Sequence, residues 1–194
     1  MRTVRTKVYK FEELNETAKN VAIKIEREKY YSYGEPLAFF NDHCKEVLKE
    51  AGYGDCEVQY RLSCSQGDGL SFKTSRIDIE RLINECIPNI KKTVLDALLE
   101  VYEWKITGNT GRYCYASKND VDFDQYDYNK EYPNLFSLAQ QIKGDIQSKY
   151  MDICKELENE GYEWIEYEDK DETITERIID NDNEFTAEGE IFNN

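Results

Sequence analysis

Three groups of residues in this 194-residue chain have types and spacings that chemistry uses, and each points to a different kind of site. The first is Ser63-Cys64-Ser65-Gln66-Gly67-Asp68-Gly69, a glycine-rich run whose backbone N–H groups could cradle an anion. Phosphate cradles place their glycines between a strand and a helix N-terminus, and the phosphate-loop type carries a lysine. Here both flanks read as strands, no such lysine is present and Asp68 repels a phosphate, so a hairpin turn is the plain reading. A ligand loop built from Gln66, Gly67, Asp68 and Gly69 with Arg61 and Arg112 is the alternative. The second group is Asp120, Asp122, Asp124 and Glu131, at positions 1, 3, 5 and 12 of a calcium-binding loop. Gln125 stands at the sixth position, where the sharp turn needs glycine. Asp127 takes a usually apolar place and Pro133 follows, so a solvated acidic loop with tyrosines fits better. The third group is His43 beside Cys44. Neighbouring helical residues point about 100° apart, which makes the two poor partners for nucleophilic catalysis.

The remaining cysteines add no catalytic or metal pattern. Cys44, Cys56, Cys64, Cys86, Cys114 and Cys154 contain no closely spaced pair, and His43 is the only histidine. A zinc site needs four nitrogen or sulfur donors, usually in paired spacing. Reduced thiols in a cytosolic protein are expected, with no metal, no cofactor and no enzymatic activity.

Charge is the strongest signal. The segment 156–194 holds fifteen acidic and two basic residues, so it carries thirteen of the chain's fifteen net negative charges. Such asymmetry argues against a direct nucleic-acid binder and toward a basic partner, with a merely solubilising acidic surface as the alternative. Carboxylates held on rigid elements can imitate the spacing of phosphates and compete for Lys/Arg-lined channels, an attraction that fades with salt. The candidate contacts are Glu163, Glu166, Glu168, Asp169, Asp171, Glu172 and Glu176, with Asp122, Asp124 and Asp127 as a second set. Tyr126, Tyr128, Trp164 and Tyr167 stand among them as candidate desolvated anchors.

The elements that must position these residues follow from periodicity. Thr3 to Phe11 alternates as a first strand, and Asn15 caps a helix whose face is Leu14, Ala18, Val21, Ala22 and Ile25. A second helix begins near Pro36, buries Phe40, Cys44, Val47 and Ala51, and stops at Gly52. Glu57 to Lys73 is a hairpin through Gly67-Asp68-Gly69. Helices follow from Asp78 and, past Pro88, from Ile90 to Val101. A second hairpin is expected from Tyr102–Thr107 through Gly108–Gly111 to Arg112–Ala116, then a polar loop over Lys118–Pro133. Leu135 to Glu160 is a long helix with Leu138, Ile142, Ile146, Ile153 and Leu157 as its seam, ended by Gly161. A short acidic helix over Asp171–Asp180 and a strand pair near Phe185 and Ile191–Phe192 close the chain. The mixture of hairpins and helices without a βαβ unit predicts an α+β domain, with a largely antiparallel sheet built from hairpins and packed with several helices. No linker or repeat divides residues 1–194, so one domain with an acidic portion from about 156 is expected. No apolar run approaches ~18 residues and the N-terminus lacks a signal-like segment, so neither a membrane span nor secretion is expected.

Three blocks together resemble a known group. They are Val8-Tyr9-Lys10-Phe11-Glu12-Glu13-Leu14 with Ala18-Lys19, Leu62-Ser63-Cys64-Ser65-Gln66-Gly67-Asp68-Gly69-Leu70-Ser71-Phe72, and Glu184-Phe185-Thr186-Ala187-Glu188-Gly189. They are similar to a widespread group of small phage and prophage accessory proteins, with Ser65–Gly69 and its flanks the most specific part. Gly111-Arg112-Tyr113 is similar too, with Tyr115 where a histidine is expected. The resemblance implies a phage-encoded protein working in the bacterial cytoplasm and supplies no catalytic residue. Joined to the charge map, it leads to the expectation of a stoichiometric inhibitor of a host nucleic-acid-targeting defence complex, of the anti-CRISPR type. Its partner would be a defence protein with a basic nucleic-acid groove. The alternative is a small-ligand module that sequesters a nucleotide signal near the Gly-Asp-Gly hairpin.

Overall fold

A computed structural model describes residues 7–32, 37–108, 113–124 and 132–192. The fold is α+β, with six α-helices and three two-stranded antiparallel sheets among these residues. The chain divides into two compact units, residues 1–38 with 162–194, and residues 39–161.

The first unit is built on α1 (Glu16–Ser32) and α6 (Asp171–Asp180), together with the end of α5 (Pro133–Glu168) from Tyr162 onward. Asn15 accepts a hydrogen bond from the Ala18 N–H at 3.0 Å and caps α1, as its side-chain chemistry requires. Ala18 and Ala22 of α1 and Ile174 and Ile178 of α6 pack with Phe11, Leu14 and Phe185 into one core. The acidic segment is therefore folded onto the N-terminal residues of its own unit, because its apolar residues recur at helical spacing within the carboxylate run. Tyr9 and Phe185 exchange backbone hydrogen bonds of 2.9 Å, and Phe185 also bridges Ile191.

The second unit holds α2 (Phe40–Glu50), β1 (Tyr53–Gly54), β2 (Glu57–Arg61), β3 (Gly69–Lys73), β4 (Arg76–Ile77), α3 (Ile79–Cys86), α4 (Lys92–Val101), β5 (Glu103–Gly108), β6 (Asn119–Asp124) and α5 up to Gly161. β2 pairs with β3, β1 with β4 and β5 with β6. Thr74 and Ile106 exchange backbone hydrogen bonds that link the last two regions. The core is assembled from Phe40, Cys44 and Leu48 of α2, Leu70 and Phe72 of β3, Leu82 and Ile83 of α3, and Trp104, Ile106, Val121 and Phe123 of the β5–β6 pair. α5 lays Ala139, Ile142, Ile146, Tyr150, Cys154, Leu157 and Gly161 along it, a seam at spacings of three and four.

Several expectations change. The first strand reduces to the single bridge at Tyr9, and Phe11–Glu13 is a 3-10 turn; Thr3–Thr6 lie outside the described residues. The described part of α2 begins at Phe40 and buries Leu48 in place of Val47 and Ala51, while Pro36 lies outside the described residues. The partner of β5 is Asn119–Asp124 and not Arg112–Ala116, because Val121 and Phe123 alternate inward opposite Ile106 and Trp104. The expected turn at 109–111 and Arg112 lie outside the described residues. Most instructive is Gly161, which does not end α5. A Cβ there would stand 2.8 Å from Phe40 Cζ and strike Leu62, so the glycine admits those side chains against the helix. Gly144, on the same helix, has nothing within 4 Å of its Cβ position.

These two glycines predict opposite signs. Alanine is favoured over glycine inside a helix by about 1 kcal/mol, so Gly144→Ala should stabilise the protein by roughly that amount. Gly161→Ala should destabilise by roughly 1–3 kcal/mol through overpacking. Urea denaturation of both variants checks this; equal stabilisation by both would refute the packing at Gly161.

Candidate functional site

The glycine-rich loop is closed on its own aspartate. The Asp68 carboxylate accepts hydrogen bonds from the Ser63 N–H (2.6 Å) and hydroxyl (2.9 Å) and from the Ser65 N–H (3.1 Å) and hydroxyl (3.0 Å). Its side chain is only 7% exposed, with Arg61 Nε 3.9 Å away. Gly67 lies at φ +105°, and the Tyr113 ring packs where a Cβ would be. The Ser63 and Ser65 N–H groups are thus taken by Asp68 and are not available to an external anion. Gln66 is exposed and Gly69 is buried as the first residue of β3, its Cβ position 3.0 Å from the Cys114 carbonyl oxygen.

The aspartates of the calcium-like run lie on β6, where strand alternation turns Asp120, Asp122 and Asp124 away from buried Val121 and Phe123. Asp122 accepts from Lys143 at 3.1 Å and Asp124 from Lys105 at 2.6 Å. Burial alone would raise the Asp122 pKa, yet the hydrogen bonds from Lys143 and the Phe123 N–H, with the Lys143 and Lys105 charges, outweigh it and lower the pKa. These carboxylates hold β6 to its neighbours, and no cluster suited to a metal ion occurs among the described residues. Tyr126, Asp127 and Tyr128 lie outside the described residues.

His43 pairs with Glu160 at 2.8 Å, while Cys44 is fully buried beside it in sequence. Burial pushes the Cys44, Cys56 and Cys154 thiols up to about 12, so all three are protonated at neutral pH and serve as apolar core groups.

The seven carboxylates singled out near the C-terminus fall into two classes. Glu168 accepts from Arg177 at 2.6 Å and from the Tyr30 hydroxyl at 3.1 Å, and the Arg177 guanidinium lies 3.6 Å from the Tyr30 ring centroid. Asp169 accepts from Arg27 Nε at 3.0 Å, and Arg27 also pairs with Asp171. The hydrogen bond to Asp171 raises the Arg27 pKa further. These three acids bind the first unit to itself. Glu163, Glu166, Glu172 and Glu176 are exposed and make no ion pair with a described residue. At 100° per residue, Glu172, Glu176 and Ile179 share one stripe of α6, opposite buried Ile174 and Ile178. Glu163, Glu166 and Tyr167 likewise fall on one side of the α5 end. Tyr167 is 55% exposed and Ile179 43%, while Trp164 is half-buried. Ile179 was not among the sequence candidates; its place three residues after Glu176 was the available signal.

The thiols carry a pH prediction. A buried cysteine raised from 9.0 to about 12 stabilises the fold fully below pH 9, and that stability is lost as pH rises from 9 toward 12, because the unfolded chain releases the proton first. Denaturant titrations should give level stability between pH 7 and 8 and a loss of roughly a few kcal/mol by pH 10.5. Unchanged stability at pH 10.5 would contradict the burial of these thiols. Comparison of the chain with protein-family models, curated proteins and solved structures found no match.

Proposed function

We propose that this is an interaction protein whose α5 end and α6 present carboxylates to a basic groove. In that role it would act as a stoichiometric, phage-encoded inhibitor of a host nucleic-acid-targeting defence complex, of the anti-CRISPR type, in the bacterial cytoplasm. It would contact the protein partner and not the nucleic acid. The observation that carries the reading is the set Glu163, Glu166, Glu172 and Glu176, exposed and in no ion pair with a described residue, with Tyr167 and Ile179 exposed on the same helices. Successive turns place Glu172 and Glu176 about 6 Å apart along the axis, close to two phosphate steps of about 3.4 Å on one nucleic-acid strand. Acids alone rarely supply tight binding, and an exposed aromatic ring with an aliphatic neighbour adds area that can be desolvated. The nucleotide-sequestering alternative is not favoured, since Asp68 already takes the loop donors.

The test separates the two classes of acid. Lysine at Glu163, Glu166, Glu172 and Glu176 together should leave the circular dichroism spectrum unchanged. The same variant should lower inhibition in a panel of purified RNA-guided nuclease complexes by at least about tenfold. Reversal of Asp169, which pairs with Arg27, should instead reduce thermal stability. Undiminished inhibition by the fourfold variant would refute the proposal.

A further inference from the structure

Where the last turn of α4 meets the first turn of α5, a groove of about 380 Å³ opens within the second unit. The described residues that line it are Ala97, Glu100 and Val101 of α4 with Tyr132 and Leu135. At 100° per residue the three α4 positions fall on one stripe, turned away from buried Leu95. Tyr132 stands immediately before Pro133, which takes the first helical position of α5. The Tyr132 carbonyl oxygen accepts from the Phe136 N–H at 3.1 Å, which fixes the residue at the helix entry. Tyr132 is 54% exposed and Glu100 is exposed too, so both can meet a ligand from solvent. Glu100 makes no ion pair with a described residue, and it is the only charged residue among the five. The C-terminus of α4 and the N-terminus of α5 carry opposed partial charges, so Glu100 sets the sign of the groove.

We propose that this groove binds a small organic cation, an ammonium group on an apolar body, with Glu100 and the Tyr132 ring meeting the charge. Three features select that class. A lone carboxylate with no cation beside it attracts positive charge and repels an anion. One carboxylate is too few oxygen ligands for calcium or magnesium, whereas an ammonium gains from an aromatic face as well. Ala97, Val101 and Leu135 supply apolar walls, and the volume falls in the ~300–1,000 Å³ range of small-molecule sites.

The experiment is a two-dimensional amide NMR titration of the full chain with benzyltrimethylammonium, and with benzyl alcohol and benzoate as neutral and anionic controls. A salt concentration of about 150 mM suppresses the general attraction of an acidic chain for cations. The ammonium should bind at roughly millimolar concentration and shift the amides of Ala97, Val101, Tyr132 and Leu135, while both controls leave them in place. Glu100→Gln and Tyr132→Leu should each weaken binding at least about twofold, and the double variant more. Both residues are exposed, so the melting temperature should change little in either variant. The inference is overturned if the ammonium shifts none of these amides, if benzyl alcohol binds as well as the ammonium, or if Glu100→Gln binds with unchanged affinity. Shifts spread over the exposed carboxylates of α5 and α6 instead of the groove would also overturn it, as diffuse counterion binding.

Discussion

In the first unit the Arg177 guanidinium lies over the Tyr30 ring and reaches Glu168, while Arg27 takes both Asp169 and Asp171. The segment 156–194 would repel itself if its charge were uncompensated, and these two arginines relieve that where α5 gives way to α6. Glu168 and Arg177 are each about four-fifths buried, so their pairing is screened far less than a surface contact. Behind them lies the apolar cluster of Phe11, Leu14, Ala18, Ala22, Ile174, Ile178 and Phe185. With α6 fixed on that cluster, the stripe opposite it has to carry Glu172, Glu176 and Ile179 outward. Which carboxylates are paired is therefore decided by where the arginines sit.

The second unit is organised by different means. α5 supplies one seam against hairpins and helices, and the Tyr150 hydroxyl lies 3.3 Å from both the N–H and the carbonyl oxygen of Phe72. Asn119 donates to the same carbonyl at 2.9 Å and Gln147 bonds the β6 backbone, so buried polar groups in this region are matched to backbone partners. Among the described residues of this unit, Asn41 Oδ1, the Tyr53 hydroxyl and Trp104 Nε1 are buried without a hydrogen-bond partner.

Legibility in the sequence tracked how local each cause was. The Glu57–Lys73 hairpin could be read because alternation and a Gly-Asp-Gly turn specify it within seventeen residues, and Glu57 indeed faces Lys73. Asp171–Asp180 could be read for the same reason, its isoleucines marking one face. β6 carried its own signal, since Asp120 to Asp124 alternates with Val121 and Phe123, but the acids suggested a loop. Gly161 reads as a helix stop and is instead a close contact, which depends on Phe40 and Leu62 far away in sequence. The same distance hid the division of the acids: Arg27 lies more than 140 residues from Asp169, so no local pattern shows that Asp169 is neutralised and Glu166 is not. The sequence candidates at Glu163, Glu166, Glu172 and Glu176 are exposed and in no ion pair with a described residue, whereas Glu168, Asp169 and Asp171 are paired with arginines, Glu168 largely buried and the two aspartates at the surface.

The central claim is that un-neutralised carboxylates on helices occupy a protein channel built for phosphates. Its most direct test is competition binding against nucleic acid on RNA-guided nuclease complexes of the proposed target class, measured as salt is raised from 50 to 200 mM, a range over which phosphate-like contacts weaken steeply. The account predicts mutually exclusive occupancy and an affinity that falls with a steep log–log salt slope. Simultaneous full occupancy by both, or an affinity indifferent to salt, would contradict it.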